Sequence, residues 1–503
     1  MELEGHLRTD IFSDRIMSAD EAALLIEDGM TVAVSGFTPA GTPKAVPLAL
    51  AEQVRSGRRS LKLNLLSGAS TGEEVDSAWA EAGIIARRAP YMTSNALRGS
   101  VNSGELAYFD QHIGMVAQNA RYGCYGHIDL AVIEASVITE EGYVVPSTGV
   151  GCAQTFADLA DRVIIELNLA QSEKLEGFHD IYRVKDPPLR EPIPIRSAGE
   201  RIGVPYLTFP PEKVAAVVVT ELPDKPRPFA PADETSRAIA SNILSFLRYE
   251  EERGGFAVGE LPMQSGVGSV ANAVLVGLKD AGLRHLSFYS EVMQDGMLDL
   301  LDCGSADFVS TTSLSLSAEG LRRMLGNIES YRGRIVLRDS EISNSAEVIR
   351  RLGVIAMNTA VEADIYGNVN STHMLGTKIY NGIGGSGDYA RNAAITIFMT
   401  PSVAKRGAIS SIVPMVSHVD HSEHDVDVIV TEQGWADLRG LSPKERAVRI
   451  IENCAHPDYR PQLRSYFEQA CAECGGAQTP HILSRCFEMH ERLRLTGTMK
   501  EEQ

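Results

Sequence analysis

Glu291 stands in the run Tyr289-Ser290-Glu291-Val292-Met293-Gln294-Asp295-Gly296, between a β-type stretch at 285–289 and helix-forming residues at 297–301. A side chain at such a strand-to-helix corner can project into a ligand crevice. The corresponding place in an earlier segment, Leu65-Leu66-Ser67-Gly68-Ala69, carries no acid. An acid in one of two like segments is an asymmetry that function produces; the plainer reading is a solvated loop carboxylate or a charge at a helix start. Asp295 fits that plainer reading, because a negative charge favours the N-terminus of the helix that follows. A lone glutamate lacks the second acid of a glycosidase and has no metal set beside it. It can act as a nucleophile on a thioester, giving a mixed anhydride. That chemistry needs main-chain donors for the oxyanion and exclusion of water.

Two glycine loops could supply the donors. Asn381-Gly-Ile-Gly-Gly-Ser-Gly-Asp388 is the densest glycine cluster in the chain, and glycines let amides approach a ligand without a Cβ in the way. No Lys-Ser/Thr pair follows, so it is not a Walker loop. A strand-like run at 393–399 comes next rather than a long helix, so it is a poor dinucleotide fingerprint. Gln264-Ser265-Gly266-Val267-Gly268 opens a helical stretch at 270–278, and its amides add partial positive charge. Either loop alone also reads as a tight turn; paired across a crevice the two could form an oxyanion hole.

Other clusters invite chemistry less strongly. His418, His421 and His424, with Asp420, Glu423 and Asp425 among them, have a metal-like spacing, but they lie in a polar loop and the glutamate chemistry needs no metal, so none is expected. Cys471-Ala-Glu-Cys474 is a single CxxC without a second pair, although His481 and Cys486 follow. Asp420-His421 with a serine suggests a hydrolase triad, but there is no G-x-S-x-G elbow.

The elements that would hold these residues alternate β-branched runs with amphipathic stretches, which predicts an α/β fold. The runs fall at 31–35, 63–66, 130–133, 163–166 and 214–219, and again at 285–289, 334–337, 355–358, 395–398 and 426–430. Landmarks recur in the same order. Val34-Ser-Gly36-Phe enters a glycine turn before Thr42-Pro43, read as cap and first residue of a helix; Gln264–Gly268 enters a turn likewise. Val132-Ile-Glu134-Ala135 precedes Gly142, as Val361-Glu362-Ala363-Asp364 precedes Gly367. The expectation is two similar open α/β domains, 1–222 and 236–503, joined by a proline-rich linker at 223–235, with the active site in the crevice between them and a helical tail from about Ser442.

Composition bounds the function. Lys plus Arg number 47 against 66 Asp plus Glu, a net charge of −19, so nucleic acid and anionic membranes are unexpected partners. The 503 residues suggest about two to four domains. No stretch approaches the ~18 apolar residues of a membrane helix, no secretory h-region is visible, and seven scattered cysteines read as reduced thiols, so a cytoplasmic protein is expected.

The motifs together resemble a known family. Phe37-Thr-Pro-Ala-Gly-Thr-Pro-Lys44, Gln264–Gly268, Tyr289–Gly296, Ser343-Asn-Ser345, Asp364-Ile-Tyr-Gly-Asn-Val-Asn-Ser371, Asn381–Asp388, His418-Val-Asp-His421 and Thr431–Gly440 are similar, in order and over about residues 10–498, to the acetyl-CoA hydrolase/transferase family of class I CoA-transferases. Within it, the chain is similar to members pairing succinyl-CoA with acetate or propionyl-CoA with succinate. The resemblance implies two CoA-transferase domains, ping-pong kinetics and Glu291 as nucleophile, passing through an acyl-glutamyl anhydride and a glutamyl-CoA thioester. It places the oxyanion amides on Val267 and Gly385. It places CoA contacts on Met263, Gln264, Ser265, Gly266, Val267, Asn344, Asn381, Gly385 and Lys405, an auxiliary acid at Glu432, and the acyl pocket beside 36–44. Lys405-Arg406 also fits a need for local positive charge under the CoA phosphates. Coenzyme A enters as substrate, with acyl-CoA and small carboxylates as ligands and no separate cofactor; a homodimer is possible. A hydrolase using the same glutamate and a non-catalytic acyl-CoA-binding protein are the alternatives.

Overall fold

The computed structural model describes residues 3–225 and 232–501, so part of the 223–235 linker, residues 226–231, lies outside the described residues. The chain groups into two compact units that cut across chain order. The first contains the N-terminal 228 residues together with 287–302 and 306–352; the second contains 229–286, 303–305 and 353–503. Glu291 therefore belongs to the first unit. Among the described residues, no helix is long and apolar enough to cross a membrane.

The first unit is built on parallel strands in the order Ala107–Tyr108, Ile85–Ala89, Leu63–Ser67, Thr31–Val34, Leu130–Ile138, Arg162–Asn168 and Val214–Thr220, with Val144–Pro146 antiparallel on Leu130–Ile138. The β-branched runs of the sequence are these strands. Leu130–Ile138 is buried at every position, as expected of a parallel strand covered on both faces. A second row in this unit pairs Ala306–Thr311 with Ile335–Arg338, and Ile335–Arg338 with His179–Asp180, all parallel. That last pairing is one of the contacts between segment 306–352 and the N-terminal residues. In the second unit Met263–Ser265, Ile355–Thr359, Ile395–Met399 and Val428–Thr431 run parallel, and Gly434–Asp437 closes the row antiparallel. The helical tail forms as Pro443–Cys454, Arg460–Glu473 and Glu488–Thr496. Ser442 and Glu445 make a capping box at its start, and its buried face joins a core with Tyr366, Ile412 and Ile429.

One local expectation needs correction. Thr42-Pro43 does not cap a helix; the helix is Ala45–Arg55, and Lys44 at its N-cap contributes no side-chain cap. The cap comes from far along the chain. The buried Glu166 carboxylate accepts from the N–H groups of Lys44 (2.6 Å), Ala45 (2.9 Å) and Val46 (3.0 Å). A charge buried against a helix start satisfies three orphan donors at once, and tertiary pairing places it there, not local sequence. Lys44 has a second task. Its buried ammonium ion-pairs with Glu134 and, at 2.8 Å, with Asp224. Burial opposes that charge, but the two carboxylates more than offset it and hold the lysine protonated. Asp224 is thereby pinned to the first unit at the start of the linker stretch.

The turns above these strands are locked by backbone contact. Gly41 has φ +67°, and a Cβ there would lie 2.4 Å from the Gly149 carbonyl oxygen; a Cβ on Gly151 (φ +57°) would lie 2.3 Å from that of Gly36. The glycines of 36–41 and 149–151 thus serve close packing within the unit.

Glu166→Ala is expected to destabilise the protein by about 3 kcal/mol, because three donors at a buried helix start lose their acceptor. Thr42→Ala, which removes only a hydroxyl bonded to the Thr38 carbonyl, is expected to cost about 1 kcal/mol or less. Denaturant unfolding of the two variants checks the contrast.

Candidate active site

Strand Leu286–Tyr289 ends one residue before Ser290, and helix Asp295–Asp302 begins four residues after Glu291. Glu291 therefore occupies the strand-to-helix corner. Its main chain is fixed: the Glu291 carbonyl accepts from the Thr311 hydroxyl (2.8 Å) and the Thr312 N–H (3.0 Å). The next residues, Val292–Met293, pair in parallel with Ser313–Leu314. That strand is held in turn by the first-half loop. Ser313 Oγ donates to the Phe37 carbonyl (2.9 Å), and the Thr38 hydroxyl lies 2.7 Å from Ser315 Oγ. The Val150 N–H reaches the Thr312 carbonyl at 2.9 Å. The glycine-locked turns of the first unit thus determine where Glu291 stands.

Beside the corner, Val292 packs with Phe37, Ala69 and Ile113, and Tyr91 closes on this small apolar cluster. Its framework is held by Arg88, which is fully buried, pairs with Asp76 at 2.8 Å and donates to the carbonyls of Ala69 (3.0 Å) and Tyr91 (3.3 Å). An arginine used this way spends its donors on main chain, fixing the wall.

The Glu291 carboxylate accepts from Asn344 Nδ2 at 2.8 Å. Asn344 follows the short helix Ser340–Ser343, and Ser343 Oγ donates to Asn344 Oδ1 at 2.8 Å, which turns the amide nitrogen toward the glutamate. The Tyr289 hydroxyl donates to the Ile342 carbonyl and ties that helix to the strand leading into Glu291. The residue keeps partial exposure, but its carboxyl sits among enough protein that burial pushes its pKa up to about 7, against the opposing pull of the Asn344 hydrogen bond.

In the second unit, Met263, Gln264 and Ser265 form a buried strand. The Gln264 side chain is committed to the fold: its oxygen accepts from the Met357 N–H (3.0 Å), and its amide nitrogen donates to Asn358 (3.1 Å). The Gly266 N–H donates to the Met357 carbonyl at 3.0 Å. Val267 is 45% exposed, and Gly268 at φ 127° opens helix Ser269–Asp280. Gly385 is buried and opens helix Ser386–Ala390. Among the described residues, the main-chain N–H groups of Val267 and Gly385 are not spent on hydrogen bonds. Asn381 Nδ2 donates to the carbonyls of Gly382 (2.9 Å) and Ser371 (3.3 Å), shaping the loop.

Lys405 and Arg406 are exposed at the tip of the hairpin Val403–Ala404/Ile409–Ser410. Glu432 binds Ser402: its carboxylate accepts from the Ser402 N–H at 2.8 Å and from the Ser402 hydroxyl, and these bonds together outweigh burial and hold its pKa below the ordinary value. The histidines of the 418–424 loop go to separate tasks. His418 stacks on His373 at 3.8 Å and lies 3.4 Å from Asp420; His421 is buried, with Nε2 3.2 Å from Ser386 Oγ at the end of the glycine loop. Cys471 and Cys474 are both free thiols, and Cys474 Sγ faces the His481 carbonyl. Among the described residues, one group of His, Asp and Glu brings ligand atoms close enough for an ion: His127, Asp129 and Asp161, at the surface.

The structure brings together Glu291 and Asn344 of the residues singled out in the sequence, and it makes Gln264 a brace of its own sheet. It adds Ser343, Thr311 and Arg88, which the sequence reading did not select. Ser343 stood in the Ser343-Asn-Ser345 motif; Thr311 and Arg88 act only through distant main chain and carried no local signal.

Residues 3–219 match the acetyl-CoA hydrolase/transferase N-terminal domain, and residues 320–467 match the C-terminal domain of the same name. A succinyl-CoA:acetate CoA-transferase of Clostridium kluyveri is 54% identical over 497 residues, covering 99% of this chain and 92% of that protein. A propanoyl-CoA:succinate CoA transferase of Escherichia coli is 45% identical, covering 96% and 98%. An acetyl-CoA hydrolase of Candida glabrata is 43% identical, covering 99% and 98%. Among solved structures, RipA from Yersinia pestis aligns with a TM-score of 0.70 at 23% identity over 92% of this chain and 98% of that one. A 4-hydroxybutyrate CoA-transferase from Porphyromonas gingivalis aligns at 0.63 and 20%, over 92% and 99%. These two likenesses bear on the fold, a two-domain α/β CoA-transferase architecture with a helical C-terminal extension. With identity this high over nearly its whole length, the chain belongs to the acetyl-CoA hydrolase/transferase family and is an enzyme of that family.

Proposed function

We propose that the protein is a CoA-transferase that moves CoA between a short-chain acyl-CoA (succinyl-, propionyl- or acetyl-CoA) and a carboxylate acceptor such as acetate, propionate or succinate. The observation that carries this reading is the Glu291 carboxylate at a rigid corner, withdrawn from water and held by one neutral amide from Asn344. Such a carboxylate is poorly solvated and correspondingly ready to attack. The names of the two transferases at 54% and 45% identity support the acyl and acceptor classes.

In the proposed sequence a Glu291 oxygen attacks the thioester carbonyl, and the C–S bond breaks to give an acyl-glutamyl anhydride and CoA thiolate. The thiolate attacks the glutamyl carbonyl, releasing the first carboxylate and leaving a glutamyl-CoA thioester. The acceptor carboxylate attacks that thioester and re-forms an anhydride and the thiolate. Attack of the thiolate on the acyl carbonyl gives the new acyl-CoA and frees Glu291. Charge is conserved at every step, so no proton need move. One thioester replaces another, and the catalytic task is positioning and oxyanion stabilisation. The uncommitted N–H groups of Val267 and Gly385 are assigned to the oxyanion. Asn344 holds the glutamate; Met263 to Val267, Asn381 and Lys405 are assigned to CoA. Glu432 acts as a positioning acid through Ser402.

Glu291→Ala should abolish transfer with an unchanged circular dichroism spectrum. Borohydride or hydroxylamine trapping after acyl-CoA addition should label Glu291 in the wild type. Substantial turnover in the variant, or no adduct at Glu291, would overturn the reading. CoA release that does not depend on added acceptor acid would replace it with a hydrolase.

The ionised form is the nucleophile, so kcat/KM for acyl-CoA should rise with pH through about 7 and level off above. Asn344→Ala removes the donor that favours the ionised form. Its rising limb should move to higher pH, with rates near neutrality at least about tenfold lower.

The same shift bears on stability. The folded-state value lies above the ordinary 4.5, so the native protein keeps a proton the unfolded chain has lost. Stability therefore falls as pH climbs from about 4.5 to about 7, by at most about 3 kcal/mol, and that cost is in full force above this range. Glu291→Gln should raise the unfolding midpoint at pH 8 and leave it unchanged near pH 4.5.

A further inference from the structure

The hairpin that presents Lys405 and Arg406 has an unusual turn. Lys405 (φ 46°), Arg406 (φ 56°) and Gly407 (φ 86°) lie consecutively in the left-handed region, and only the third is a glycine. Two long side chains in that region are unfavourable, and native structures hold them where the surroundings over-determine the backbone. Among the described residues, neither Lys405 nor Arg406 has an acidic partner, on a protein whose acids outnumber its Lys and Arg by 66 to 47. Two unpaired cations displayed side by side at a strained turn are arranged for an anion from outside the chain.

The atoms that hold the turn come from elsewhere in the second unit, and most come from residues 498–500. The Met499 N–H donates to the Ala408 carbonyl at 2.8 Å, and the Thr498 hydroxyl donates to the same oxygen at 3.2 Å. The Tyr459 hydroxyl donates to the Gly407 carbonyl at 2.9 Å. The Met499 side chain is 2% exposed and set in the core of the helical extension, and the Met499 carbonyl accepts from Arg492 at 2.7 Å. Lys500 pairs with Asp458 at 2.6 Å and lies over the Tyr459 ring. The segment is thus anchored on one side and grips the turn on the other.

We propose that residues 498–500 are a positioning clasp for Lys405 and Arg406, setting the two cations to receive the phosphates of CoA. Thr498 and Met499 touch no substrate in this scheme; they act through the Ala408 carbonyl. The inference rests on the proposed use of CoA as ligand of the Lys405 hairpin.

The test compares steady-state kinetics of the full-length protein with Lys405→Ala, Thr498→Val, Thr498→Ser and a chain ended at Gly497, each checked for its fold by circular dichroism and melting. The shortened chain should raise KM for acyl-CoA about fivefold or more while kcat stays within about twofold, because the clasp acts on binding and not on the reacting atoms. Thr498→Val should give a smaller rise in KM, and Thr498→Ser, which keeps the donor, should match the wild type. Lys405→Ala should raise KM similarly, and combining it with the shortened chain should add little, as residues acting in series are not additive. If Lys405→Ala raises KM and neither Thr498→Val nor shortening does, the clasp is overturned and the CoA site stands. If Lys405→Ala leaves KM unchanged, the hairpin is no phosphate site and the clasp falls with it, while trapping at Glu291 decides the transferase reading separately. A loss of kcat with KM unchanged would also overturn it. Should the shortened chain fail to fold, the Thr498→Val and Thr498→Ser pair decides.

Discussion

A carboxylate taken out of water must be repaid or must protonate, and Glu291 has fewer partners than most of the buried acids around it. Asp76 and Asp180 are neutralised by the buried guanidinium groups of Arg88 and Arg338, Glu250 by Arg439, and Glu134 by Lys44. Glu166 receives three helix N–H groups, and Asp364 accepts the N–H groups of Tyr366, Gly367 and Asn368. Glu291 receives one neutral amide. A cation in that place would favour the ionised form and tie up the oxygen that must attack. Full desolvation with no donor would keep it protonated. A single amide leaves the group poised near neutral pH.

Burial alone does not make such a site, as Asp339 shows. Burial pushes its carboxyl up to about 8, with only a long 3.4 Å contact from the Tyr182 N–H opposing. It precedes the helix Ser340–Ser343 that leads to Asn344. The difference is context. Glu291 stands at a strand-to-helix corner, keeps partial exposure, and has its main chain clamped by Thr311 and Thr312. Asp339 is almost completely enclosed. A nucleophile requires a perturbed carboxylate that a substrate can reach and that does not move when it is attacked.

The strands were legible because β-branched runs in a parallel sheet need not alternate, and a continuous apolar run signals burial on both faces. The helical extension was legible from its composition. Glu291 was legible as an acid at a strand end, but its single donor was not, since Asn344 lies 53 residues away. The start of helix Ala45–Arg55 was misread because Thr-Pro is a valid local signal, and only the sheet register that places Glu166 beside it reveals the true cap. The grouping of 306–352 with the N-terminal unit includes the pairing of Leu337 with His179, a contact that no spacing rule encodes. The bridge from the Gln264 amide to Met357 and Asn358 was not legible, because its partners lie 93 and 94 residues away.

The two cations of the Lys405 hairpin and the lone acid at 291 follow the same logic with opposite sign. Most exposed arginines in this acidic chain sit against a carboxylate, as in the pairs Arg58–Asp20, Arg322–Glu319 and Arg464–Glu452. Such pairs are worth little to stability, so leaving two cations unpaired costs the fold little while making their charge available to a ligand. The backbone conformation that displays them does carry a cost, met by hydrogen bonds from Thr498, Met499 and Tyr459. At Glu291 the cost is desolvation, met by the apolar packing around Val292 and by the glycine-locked turns beneath it. In both places a locally unfavourable group persists because rigid main chain, rather than a complementary charge, holds it in place, and this leaves the charge itself available for a ligand.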